Sequence, residues 1–236
     1  MNKNKFFVLF LLFPLFAHAQ RDSSSTILRF NGGYADIGTS NGVASLGASA
    51  SNTRDWNVGL SVGFPVEKNI EAGFGFEYRK QKIATTSQIF IPPREQMLPS
   101  RFGAIQFTDT DMNLIIGKAY LIRYWRLFNR LYFNPMLSIG IGKVTGTQKT
   151  NTLHVPPNEP FFRYYYESTI SYGYFALSLA PAFSFYLTPQ FALNLEIGSF
   201  QFSTTDRKWD NKQWLANVNP VYWQLGIIVA SKNKKQ

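Results

Sequence analysis

Cysteine is absent from this 236-residue chain, which excludes disulfides, thiol chemistry and a cysteine-linked lipid anchor. Charge is scarce as well: Asp, Glu, Lys and Arg make up 16% of residues, against about 25% in typical soluble domains. Beyond the N-terminus, no stretch of 18 consecutive apolar residues occurs, so a helical membrane protein is not expected. Histidine is limited to His18 and His154. His154 lies in LHVPPNEP, with no serine at a fixed short spacing and no cluster of metal ligands. A nucleophile needs an adjacent base, so the sequence predicts no enzyme, no metal and no cofactor.

Aromatics, in contrast, are abundant at 17%, with 22 Phe, 12 Tyr and 5 Trp. The chain opens MNKNKFFVLFLLFPLFAHAQ: Lys3 and Lys5, an apolar run from Phe6 to Phe16, then Ala17, His18 and Ala19. This pattern predicts a secretory signal peptide over 1–19, and its apolar run is too short to span a bilayer as a helix. Net charge is +10, and losing Lys3 and Lys5 leaves +8, spread over connections and the tail SKNKKQ, of which 232–236 form a basic C-terminal extension. A secreted chain without a basic-aromatic motif is not expected to bind nucleic acid. Secretion, low charge, many aromatics and no long apolar run together favour a transmembrane β-barrel over residues 20–231.

Period-two alternation supports that class, because successive side chains of a strand point to opposite faces. Eight runs show it: 25–37, 56–64, 70–81, 111–125, 131–144, 168–187, 191–202 and 221–231. Each can supply the roughly 9 to 11 residues that a tilted membrane strand needs. Short links at 65–69, 127–130 and 188–190 alternate with long ones at 38–55, 82–110, 145–167 and 203–220. The expected fold is an all-β, eight-stranded antiparallel up-and-down transmembrane barrel, with short periplasmic turns, long extracellular loops and both termini periplasmic.

Side-chain parity implies an inverted protein. Val58, Leu60, Val62 and Phe64, then Phe74 and Phe76, then Leu137, Ile139 and Ile141 share one face; Gly59, Ser61, Gly63, Gly73, Gly75 and Ser138 share the other. The large set suits lipid, and the small set suits the narrow interior of an eight-stranded ring. Phe64, Tyr124, Trp125 and Phe133 near the short turns, and Tyr34, Tyr78, Tyr172 and Trp223 near the long loops, read as two interfacial girdles. Lys118 shares the parity of Leu114, Ile116, Tyr120 and Ile122 and is therefore expected to face lipid, while Pro135 and Pro181 imply local irregularities within strands.

Charges on the interior parity must be paired or wet. The sequence places Arg29, Glu71, Glu77, Arg79, Arg123 and Glu196 there, and predicts a luminal ion-pair network, with Arg29 or Arg123 as the cation for Glu196. The second candidate is Phe161, Phe162, Arg163, Tyr164, Tyr165 and Tyr166, in an expected outer loop. Either these side chains pack on one another along strands that continue past the membrane, or they form a surface for an extracellular protein or glycan.

The AHAQ ending of the N-terminal segment, the pair NVGLSVGFPVEKNIEAGFGFEYRKQK and IRYW followed by LYFNPMLSIGIGK resemble the eight-stranded outer-membrane β-barrels of the OmpA/OmpX type, in the porin family of Bacteroidetes-like bacteria. The resemblance implies a place in the outer membrane of a Gram-negative cell, as a monomer among outer-membrane lipid and lipopolysaccharide. It also implies recognition by the barrel assembly machinery through the last strand, where Gln224, Gly226 and Val229 match and Ser231 stands at the usual aromatic position. The expected role is a barrel with a side-chain-plugged lumen, serving structure or surface binding in the envelope. A narrow channel for ions or small solutes is the first alternative, and a secreted lipocalin-like ligand-binding barrel the second.

Overall fold

The computed structural model describes residues 26–43, 47–91, 102–155, 162–205, 211–217 and 223–231. The expected signal peptide, the basic tail 232–236 and Phe161 lie outside these residues. What is described is all β: thirteen strands in one antiparallel sheet. In chain order they are β1 (Ile27–Val43), β2 (Gly47–Glu67), β3 (Ile70–Ile91), β4 (Phe102–Arg123), β5 (Trp125–Arg126), β6 (Leu131–Phe133) and β7 (Met136–Val155). There follow β8 (Phe162–Ala180), β9 (Ala182–Thr188), β10 (Phe191–Glu196), β11 (Ser199–Thr205), β12 (Asn211–Asn217) and β13 (Gln224–Ala230).

Several strands are separated by one or two residues, and those residues explain the breaks. Asn134 and Pro135 divide β6 from β7, and Pro181 divides β8 from β9, since proline has no N–H for the ladder. Both proline carbonyls still accept hydrogen bonds, Pro135 from the N–H of Arg123 at 3.4 Å and Pro181 from that of Ile197 at 3.0 Å. Gly198, with φ of 94°, divides β10 from β11 in a conformation that favours glycine. Tyr124 separates β4 from β5, and its N–H is taken by the carbonyl of Asn69 at 2.8 Å.

Sheet order is β12-β11-β8-β7-β4-β3-β2-β1-β13-β10-β9-β6-β5. β1 therefore pairs with β2 along its whole length and with the final strand β13 from Ile27↔Ala230 to Gly32↔Leu225. The strands are much longer than the sequence predicts, reaching 21 residues in β2 and 22 in β3 and β4. The four expected long loops are mostly strand. Residues 44–46 join β1 to β2, 92–101 join β3 to β4, 156–161 join β7 to β8, and 206–210 join β11 to β12. Cross-strand pairing continues out to Ile91↔Phe102 and His154↔Phe162. The segments are rich in Thr, Ser, Asn and Gln, which reads as loop, yet Thr at alternate positions suits a pleated surface.

Register aligns the side chains of one face in rows across β1, β2, β3, β4, β7 and β8. One row is Leu28, Val62, Phe74, Ala119, Ile139 and Leu177; the next is Phe30, Leu60, Phe76, Gly117, Ile141 and Phe175. Gly32, Val58, Tyr78, Ile115, Lys143 and Gly173 follow. This apolar face is the exposed one: Phe76 is 67% exposed, Ile141 68% and Ile115 60%. The next row, Tyr34, Trp56, Lys80, Asn113, Thr145 and Ser171, begins a polar zone.

The opposite face is buried, and β4 corrects one expectation about it. Leu114, Ile116, Tyr120, Ile122 and Tyr124 are all buried, so Lys118, on the same parity, points inward and not towards lipid. Arg123, on the other parity, is exposed. The reason lies in the sequence NLIIGKAYLIRY, which is apolar on both parities and gives no unique phase. Leu114 and Ile116 pack inside against Val144 of β7. Tyr124, expected in a girdle, joins Tyr120, Ile122, Met136 and Ala180 in the interior.

Candidate functional site

The buried face carries charges at two levels. At the first, Arg29 of β1 grips Glu71 of β3 with two hydrogen bonds, Nε to Oε1 and Nη2 to Oε2, each 2.9 Å. The Tyr124 hydroxyl donates to Glu71 Oε2 at 2.5 Å and the Tyr120 hydroxyl to Oε1 at 3.1 Å. Arg29 Nη2 also meets the Tyr124 hydroxyl, and its guanidinium lies 5.8 Å from that ring's centroid. Glu71 is only 1% exposed. A bidentate arginine and two phenols occupy both carboxylate oxygens, the arrangement that lets a buried ion pair persist. Glycine makes the room: a Cβ on Gly63 would run into the Glu71 carboxylate, and one on Gly73 into the Tyr120 ring.

At the second level, Lys118 Nζ donates to Glu77 Oε2 at 3.2 Å and Arg79 Nη2 to Glu77 Oε1 at 3.3 Å. Asp55 extends the chain, with Oδ1 3.8 Å from Arg79 Nε, an ion-pair separation too long for a hydrogen bond. Between strands on the far side, the amide of Asn134 donates to Asn194 Oδ1 at 3.2 Å, and Ser184 Oγ lies within 3.1 Å of Asn134 Oδ1 and 2.8 Å of Asn194 Oδ1. Ser138 and Ser178 share a hydrogen bond of 2.7 Å. A cavity of about 20 Å³, roughly a single water, is bounded by Arg29, Asn31, Lys118, Asn134, Asn194 and Glu196.

Thus five of the six charged residues singled out in the sequence lie on strands whose buried faces converge, but they do not form one network. Arg29 and Glu71 make one group, and Glu77 and Arg79 another, with Lys118 as the cation that parity misplaced. Arg123 is not among them: it stands on the exposed face with its guanidinium 5.3 Å from the Trp125 ring centroid. The Glu196 carboxylate makes no hydrogen bond or ion pair among the described residues. Its expected partner Arg29 is held by Glu71, and the cations bounding its cavity are Arg29 and Lys118. Tyr120 and Tyr124 complete the site without a signal in the sequence, because the parity they share with Lys118 reads there as lipid-facing.

The second candidate group lies in a strand and not in a loop. Phe162, Arg163, Tyr164, Tyr165 and Tyr166 belong to β8, paired with β7 through Arg163↔Leu153 and Tyr166↔Thr150. Tyr164, Tyr165 and Tyr166 are 62%, 57% and 64% exposed, so the side chains on both faces meet solvent. Arg163 Nη2 donates to Asn151 Oδ1 at 3.4 Å. The Tyr165 hydroxyl donates to Glu167 Oε2 at 2.7 Å, and Lys149 Nζ approaches the other carboxylate oxygen at 3.6 Å. β11 covers β8 only from Tyr174 to Leu179, so among the described residues Phe162–Gly173 has β7 on one edge and no strand on the other. No group of three or more His, Cys, Asp or Glu suited to a metal occurs among the described residues.

No protein-family model matches the chain, and no curated protein does. Among solved structures, it is similar to Ail, the attachment invasion locus protein of Yersinia pestis, in complex with the heparin analogue sucrose octasulfate. That match has 14% identity, covers 88% of this chain and 97% of that one, and has a TM-score of 0.35. Ail without the analogue gives 11% identity, 89% and 96% coverage and a TM-score of 0.34. The translocator domain of autotransporter NalP from Neisseria meningitidis gives 9%, 90% and 90%, and 0.25. Overlaps this loose assign neither fold family nor function.

Proposed function

We propose that the chain is a small monomeric outer-membrane barrel of a Gram-negative bacterium, with a side-chain-filled lumen and an outer sheet edge that serves surface binding. The observation carrying this reading is the inversion of the two faces: Phe76, Ile141 and Ile115 stand exposed in continuous apolar rows, while Arg29, Glu71, Glu77 and Lys118 are enclosed. Lipid is the solvent that accommodates such an exposed belt. In this reading the strands join across Tyr124, Asn134–Pro135, Pro181 and Ile197–Gly198, and β12 and β13 count together as the last of eight staves. β1 against β13 completes the ring, which matters because each unpaired backbone group in hydrocarbon costs several kcal/mol. Both termini then fall with the short turns on the periplasmic side, and the resemblance to OmpA/OmpX-type barrels agrees with this arrangement.

Above the belt, the β8 edge that carries no second strand among the described residues, with Tyr164, Tyr165 and Tyr166, suits an extended segment of an extracellular protein, which would add a strand through main-chain hydrogen bonds. The ion pairs and the single-water cavity favour a filled lumen over a conducting one. The test is fractionation of the native protein followed by electrophoresis with and without boiling, then planar-bilayer recording. The expected results are outer-membrane recovery, a heat-dependent mobility shift and no steady conductance. Recovery as a soluble periplasmic protein would favour the lipocalin-like alternative, and a steady large conductance would replace the filled lumen with a channel.

A further inference from the structure

Beyond the belt, β8 presents an edge without the usual protection against pairing. β11 covers it only from Tyr174 to Leu179, so over 162–173 its one neighbour among the described residues is β7. Natural sheet edges resist pairing through lysine, proline or a bulge. The segment FRYYYESTISYG has no lysine or proline, and its register against β7 runs unbroken out to His154↔Phe162. Its only charges are Arg163 and Glu167, which share the outer parity with Tyr165. Among the described residues, the Arg163 guanidinium makes one hydrogen bond, to Asn151 at 3.4 Å, and meets no carboxylate. Glu167 accepts from the Tyr165 hydroxyl at 2.7 Å and lies 3.6 Å from Lys149, yet its side chain stays 44% exposed and its carboxylate has lone pairs to spare.

The charge pattern of this edge is self-complementary in one direction only. An antiparallel pairing of two such edges centred on Tyr165 sets Arg163 of each copy opposite Glu167 of the other, Tyr164 opposite Tyr166, and Tyr165 opposite itself. Opposite charges and aromatic pairs placed directly across from each other are what stabilise a sheet. A parallel pairing about a two-fold axis along the strands sets Arg163 beside Arg163 and Glu167 beside Glu167, which repels. Barrels standing side by side in one membrane present β8 in the same direction and are confined to the parallel case, whereas barrels in two facing membranes meet antiparallel. Tyr165 lies eight residues beyond Gly173, at the end of the apolar rows, which on a tilted strand is about 20 Å outside the belt. We propose that the β8 edge pairs with the β8 edge of a second copy on a facing membrane, a homophilic contact between cells. This names the partner of the surface-binding edge and rests on the membrane-barrel reading, which fixes the direction of the strands.

The test folds the purified full-length chain into two sets of phosphatidylcholine vesicles, one carrying a donor dye and one an acceptor, and reads vesicle pairing by energy transfer. Parent vesicles are expected to pair with each other and not with protein-free vesicles. R163E on both sets, or E167R on both sets, puts like charges at both ends of the contact and is expected to weaken pairing about tenfold. Mixing R163E vesicles with E167R vesicles restores opposite charges at both ends, as does the double variant R163E/E167R with itself, and both are expected to pair as the parent does. Undiminished self-pairing of either single variant, no recovery in mixed variants that keep the heat-dependent mobility shift, or equal pairing with protein-free vesicles would overturn the homophilic contact. Absence of pairing in a parent that still shows that shift would overturn the contact alone and leave the barrel in place. Absence of the shift itself would overturn the barrel reading too.

Discussion

Glu71 shows how a single residue constrains the interior. Its carboxylate accepts from Arg29, Tyr120 and Tyr124; Gly63 on the neighbouring β2 leaves the space it needs, and Gly73 on its own strand leaves that of Tyr120. Truncating one member of such a pair leaves the other charge buried, whereas replacing both with apolar groups removes the desolvation cost along with the attraction. Glu71→Gln is therefore expected to destabilise the protein by about 3–5 kcal/mol, and the double replacement R29M/E71M by clearly less. Denaturant unfolding of both variants in lipid vesicles measures this. An E71Q variant as stable as the parent would mean that the pair contributes little.

At the scale of the element, the β7–β8 hairpin is a strand pair carried beyond the belt, held by backbone pairing out to His154↔Phe162 and by the Tyr165–Glu167–Lys149 cluster. The Tyr165 hydroxyl, and after it the Lys149 ammonium, hold the Glu167 carboxyl below the usual carboxylate range, and the same hydrogen bond pushes the Tyr165 phenol up. A depressed folded-state value has a definite sign: the cluster's contribution is complete above the unfolded carboxyl's titration and disappears as pH falls through the folded one. Tyr165→Phe is expected to bring the Glu167 midpoint back up towards its ordinary value. A carbon-detected NMR titration reads this directly, and an unshifted midpoint would show that the hydrogen bond is not maintained. Salt should weaken the Lys149 contribution, because both groups are exposed.

For the whole molecule, the exposed apolar rows set the environment in which the rest is stable. Phe76 sits in the middle of them. Phe76→Arg is expected to cost about 2–4 kcal/mol in a bilayer, the penalty for a cation near the midplane of a barrel's outer wall. Folded yield in vesicles, read from the heat-dependent gel shift, reports it. In a water-soluble barrel the same substitution on an exposed face would be harmless or beneficial, so an undiminished yield would count against the membrane reading.

Alternation alone determined that this chain is all β, which runs form strands around Val58, Phe74 and Ile139, and that Arg29, Glu71, Glu77 and Arg79 lie on one side, because period two converts sequence position directly into facing. Prolines 135 and 181 marked breaks for the same local reason, the missing N–H. Three things were decided only by tertiary structure. The phase of β4 was one, since a strand apolar on both parities can face either way until Val144 and Glu77 are set beside it; this moved Lys118 inward and Arg123 outward. The length of the strands was another, because polar Thr- and Ser-rich segments become strands only when a neighbour offers a ladder. The partners of each charge were the third: Glu196 and Glu71 read alike in sequence, and only the convergence of β1, β3, β4 and the Tyr124 break that follows it gave Glu71 the arginine and both tyrosines.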